Sequence, residues 1–146
     1  MAIKQKYDLD RFKKKHEEDF EDALAEIQTG YKMSHWMWYI LPQIKGLGCS
    51  GLANYYAIED IDEAKAYLKD PILSDHMEKM CAALLQTVSD DPELVMGYPD
   101  DLKLRSCMTL FQQADPDNGI YQKVLDKFFD GEPDKNTLEL LKHEVH

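Results

Sequence analysis

From Pro71 to Val88 apolar side chains return every three or four residues: Leu73, Met77, Met80, Cys81, Leu84, Leu85 and Val88. That period puts them on one face of an α-helix and scatters them over both faces of a strand. It recurs along the chain. Phe12, His16, Phe20, Ala23, Leu24 and Ile27 mark a helix over 8–29, which Asp8 or Asp10 can cap and Gly30 ends. Ile61, Ala64, Tyr67 and Leu68 mark another, as do Leu104, Cys107, Met108 and Phe111. Further stripes lie at Ile120 to Phe129 and at Leu138, Leu140 and Leu141. No segment of useful length alternates with period two. Short connections between such stripes predict an all-α chain, a single compact domain of six to eight helices spanning residues 1–146.

The formal charge of -11 argues against nucleic acid and anionic membranes as partners. No apolar run has the roughly 18 residues that a membrane span needs. Three cysteines without CxxC spacing fit a reducing compartment, so the expected location is cytoplasmic. His16 falls on the core face of the first helix, and His76 is expected at the surface. No carboxylate–histidine spacing predicts a metal, and the pattern names no cofactor.

The charge is unevenly spread. Residues 31–57 hold no Asp or Glu, although 28 acids in 146 residues would put about five there. Inside this window lies SHWMWYILPQIKGLG, residues 34–48. Ser34 is placed to cap a short helix that Pro42 must end. Trp36, Trp38 and Tyr39 offer flat faces with polar edges, so they can form the wall of a pocket for a planar ligand or a corner of the core. His35 can act as an acid, a base or a donor, or simply satisfy a backbone carbonyl. Gly46 and Gly48 free the backbone after Gln43 and Lys45, and Ser50 can begin the next helix. Together they can hold an anion, or form a tight turn with a solvated lysine. The spacing is neither a Walker A nor a Rossmann pattern.

A second cationic block is DDLKLRS. Asp100 and Asp101 fall in the first turn of a helix, where negative charge suits the dipole. Asp101 and Arg105 are spaced for an ion pair. Lys103 and Ser106 share a neighbouring face, while Lys103 and Arg105 point to different sides.

SHWMWYILPQIKGLG, YAIEDIDEAKAYLKDPIL, GYPDDLKLRSCMTLFQQA and YQKVLDKFFDGEPDKNTLELL together resemble the bacterial family known as domain of unknown function 1810. The resemblance runs from about Tyr7 to Leu141 and implies a mainly helical fold, with no reaction attached. Asp70, Ser74 and Cys107 depart from the family pattern. Such proteins sometimes carry the label calpastatin. Calpastatin-type inhibitors are disordered polar chains, whereas these apolar stripes should fold alone.

These features lead to a small-molecule site where residues 34–48 meet the DDLKLRS block. The expected ligand is anionic with a planar part, a nucleotide or nucleotide sugar. Lys45 and the glycine turn would take the anion, with Lys103, Arg105 and Ser106 beside them. Trp36, Trp38 and Tyr39 would take the planar part, and His35 or Asp101 would carry any proton transfer in a hydrolysis or group transfer. The alternative is a non-catalytic interaction or regulatory module with an exposed aromatic patch. Oligomeric state is not legible in the pattern.

Overall fold

The computed structural model describes residues 7–48 and 50–142. Cys49, His143 and His146 lie outside the described residues. Among the described residues nine helices follow in order: α1 (Asp10–Thr29), α2 (Met37–Ile40), α3 (Gly51–Tyr55), α4 (Ile61–Lys69), α5 (Pro71–Gln86), α6 (Pro92–Met96), α7 (Asp100–Ala114), α8 (Ile120–Phe129) and α9 (Lys135–Lys142). Six of them have seven residues or more, and α2, α3 and α6 are single turns. No sheet forms. An isolated parallel bridge pairs Ile44 with Ile58, through Lys45 N to Ile58 O and Ile58 N to Gln43 O, both 2.8 Å.

The stripes become the core. α1 packs on α5 and α2, while α7 packs on α4, α6, α8 and α9. Leu104, Cys107, Met108, Leu110 and Phe111 of α7 have no solvent exposure, so this helix is the axis around which the others gather. Thr109, buried on this helix, donates its hydroxyl to the Arg105 carbonyl at 2.8 Å and accepts the Asp134 N–H at 2.8 Å. That second bond pins the chain entering α9 to the core.

Side-chain caps set four of the helix starts. Asp60, Asp70 and Asp91 accept backbone N–H groups at the starts of α4, α5 and α6, and Ser50 does so for α3. Asp70 also pairs with Lys13 at 3.0 Å. Gly30 ends α1 with φ 106°, a left-handed conformation that costs glycine little.

Three local expectations are corrected. Leu9 precedes α1, and neither Asp8 nor Asp10 caps it. Ser34 does not cap α2, because its hydroxyl is taken by Glu26 at 2.6 Å. Val88 lies beyond the end of α5 and is fully exposed.

Candidate functional site

The aromatic segment is folded around an acid from outside it. Glu26, on the inner face of α1, accepts the N–H groups of Met33 at 2.7 Å and Ser34 at 2.9 Å, the Ser34 hydroxyl, and the Trp36 indole N–H at 2.9 Å. Burial alone would raise its pKa, but these four donors together hold it down to about 2. Trp36 is thereby sealed in the core at 1% exposure. Lys32 lies 4.8 Å from the centre of the Trp36 ring and pairs with Asp100 at 2.8 Å, which ties this loop to the start of α7.

Tyr39 is also core. Its hydroxyl bonds to Asp19 and to the His35 carbonyl, and burial followed by the Asp19 carboxylate raises its pKa. Its own carbonyl bonds to His16 Nε2 at 2.8 Å. His16 Nδ1 faces His76 Nδ1 at 2.9 Å, and the His76 ring stacks 3.6 Å from Phe20. His76 is therefore a half-buried member of the α1–α5 packing rather than a surface side chain.

One cleft, about 480 Å³ in volume, opens between residues 38–53, α7 and the start of α9. Trp38, Gln43, Gly48, Lys103, Arg105 and Ser106 all line it. Lys103 Nζ sits 5.5 Å from the centre of the Trp38 ring and 3.4 Å from Asp100. Arg105 donates Nε to the Glu132 carbonyl at 2.9 Å and lies over Phe129. Lys103 and Arg105 leave different sides of α7, yet their long side chains frame one opening. Gly48 admits no side chain, since a Cβ there would fall 2.5 Å from that of Ala53. A hollow of about 600 Å³ lies between α1 and α5, but none of the candidate ligand or catalytic residues lines it.

The remaining candidates stand elsewhere. His35 is exposed, its ring 6.5 Å from that of Trp38, and it does not line the cleft. Lys45 is exposed and paired with Glu59 at 3.4 Å. Gly46, at φ 107°, packs under Leu140 of α9. The expected Asp101–Arg105 ion pair does not form. Asp101 turns inward on the face of Leu104, and its Oδ1 is buried with no partner among the described residues. Among those residues no group of three or more His, Cys, Asp or Glu side chains is placed to hold a metal.

Sequence reasoning missed Asp134 and Asn136, which form the third wall of the cleft. Asp134 was legible only as a helix cap. The Thr109 bond and the packing of α9 on α7 bring it to the cleft.

The profile of the family described as "Protein of unknown function (DUF1810)" matches residues 6–141. The chain belongs to the DUF1810 family. The crystal structure of the conserved hypothetical protein Rv1873 from Mycobacterium tuberculosis is similar to this DUF1810 chain, with a TM-score of 0.92 and 36% identity over 94% of this chain and 99% of the other. No curated protein matches it. Family membership thus fixes the fold and leaves the chemistry of the cleft to be argued from its residues.

Proposed function

We propose that the cleft between Trp38, α7 and the start of α9 binds a small anionic molecule with a planar part, of the nucleotide or nucleotide-sugar class. The observation that carries this reading is Lys103 held over the Trp38 ring, with Arg105 across the opening. Trp38 offers a stacking face for a planar ring. The Arg105 guanidinium spends Nε on Glu132, and its outer nitrogens form no hydrogen bond to the described residues, so they can fork onto a phosphate or carboxylate. Gln43 and Asn136 add amides that can read polar edges. The volume lies in the range of small-ligand pockets, roughly 300 to 1,000 Å³. This reading places a soluble, cytoplasmic binding protein first and catalysis second, because His35 and Asp101 do not line the cleft. A thermal-shift screen tests it. Nucleotides, nucleotide sugars and sugar phosphates should raise the melting temperature of the intact chain. If none does, the reading fails.

One observation favours an interaction module instead. The Lys32 N–H bonds to the Val95 carbonyl at 2.7 Å, which joins the segment carrying exposed Tyr31 and Met33 to α6, where Leu94 is exposed. In that reading the ligand panel leaves the melting temperature unmoved, and Met33→Glu changes the sedimentation coefficient of a self-associating chain.

A further inference from the structure

Asp134 is a carboxylate in the wall of a cleft whose other polar side chains are cations, amides and hydroxyls. Its Oδ2 accepts the N–H and the hydroxyl of Thr137, at 2.9 and 2.6 Å. No described residue gives its Oδ1 a hydrogen bond or an ion pair, so half of the carboxylate is held in place with acceptor capacity to spare. Its backbone N–H is fixed by Thr109 Oγ1 on the buried face of α7. The acceptor is therefore positioned before any ligand arrives.

The charge around it limits what fits. Lys103 and Lys32 both lean on Asp100, at 3.4 and 2.8 Å. Arg105 is the cleft cation with no carboxylate partner among the described residues. One shared lysine, one arginine and one carboxylate suit a ligand with a single phosphate far better than a triphosphate. A carboxylate repels phosphate oxygens but accepts strongly from a hydroxyl, because such bonds are charge-assisted.

We propose that Asp134 is a specificity-determining acceptor that takes a sugar hydroxyl, and that the cleft selects sugar monophosphates, such as nucleoside monophosphates, over triphosphates and over ligands lacking that hydroxyl. This deepens the ligand-site reading above and rests on it.

The test uses the intact chain and calorimetric titration with ribonucleoside monophosphates, their dideoxy counterparts and the triphosphates. A hydrogen bond to a charged group is worth about tenfold or more in affinity, so the dideoxy compounds should bind at least about tenfold more weakly. Asp134→Asn keeps a good helix cap for α9. It should shrink the ribo-to-dideoxy ratio to within about threefold and raise triphosphate binding relative to monophosphate. Equal binding of ribo and dideoxy compounds by the unaltered chain overturns the inference, and that comparison needs no variant. A ribo-to-dideoxy ratio that survives Asp134→Asn also overturns it. If no nucleotide of either kind binds, this inference falls, and the thermal-shift panel of nucleotide sugars and sugar phosphates decides whether the ligand-site reading falls with it.

Discussion

Glu26 accepts the indole N–H of Trp36 at 2.9 Å, and through that bond an acid from α1 organises the longest acid-free segment of the chain. Three more donors from Met33 and Ser34 converge on the same carboxylate. Replacing it should therefore cost more than one hydrogen bond. Glu26→Gln keeps one acceptor oxygen and turns an amide on the remaining donors. We expect a loss of about 2 to 3 kcal/mol, read as a shift of the urea midpoint. A loss below about 0.5 kcal/mol would show that the clamp is ornamental.

The same carboxylate sets an acid limit. Its folded pKa of about 2 lies below the ordinary 4.5, so the native state binds fewer protons than the unfolded chain. The stability it contributes is complete above pH 4.5 and drains away as pH falls towards 2. The total is about 3 kcal/mol. Denaturant melts across that window should show the slope, and Glu26→Gln should flatten it.

A separate acid response belongs to His16. Burial holds its imidazole down to about 4, although the Tyr39 carbonyl bond pulls the other way. His76, lowered by its own burial, and Asp70 also act on it, and the Tyr67 hydroxyl lies 3.3 Å from Nε2. With Nε2–H donated to Tyr39, His16 Nδ1 must accept from His76, and a proton placed there forces His76 to change tautomer so that the bond reverses. Stability present above pH 6.5 should thus fall as pH drops towards 4, by up to about 3 kcal/mol. Histidine proton NMR locates the titration. A His16 resonance titrating near 6.5 in the folded chain would refute the assignment.

Trp38 separates stacking from charge. Trp38→Leu should weaken nucleotide binding by about tenfold or more while leaving inorganic phosphate unaffected, since stacking is worth roughly 1 to 3 kcal/mol per base. Lys103→Met should weaken both. Calorimetry on the two variants gives the split, and an equal loss for both ligands in Trp38→Leu would remove the ring from the site.

Gly48→Ala should damage the cleft from the turn side. The added methyl would fall 2.5 Å from the Ala53 Cβ, so α3 must move. We expect a loss of about 1 to 3 kcal/mol in thermal or urea melts. Adding Ala53→Gly should return most of it, and failure of that rescue would mean the strain lies elsewhere.

The helices were legible because their packing faces repeat at a fixed spacing that any reader of the chain can count. α5 and α8 announce themselves in this way. The meeting of residues 38–48 with Lys103, Arg105 and Ser106 was legible from charge and aromatic content. Glu26 was not, since an acid on the core face of a helix looks like an irregularity until its four donors are seen. Asp134 was not either, because capping and cleft lining call for the same residue type. Asp101 and Arg105 misled for another reason. Helical spacing allows their pairing, but burial of one and the Glu132 carbonyl beside the other decide against it.

The bridge between Ile44 and Ile58 fixes one wall of the cleft from its base. Both ends of the excursion over 45–57 are stitched together by backbone bonds that no side chain supplies. No residue of α3, inside the loop, is fully buried. The excursion is thus a strap fastened at its base and again at Tyr56, which is buried in the core, and the stretch between these fastenings presents Leu47, Gly48, Ser50 and Ala53 as one wall of the cleft.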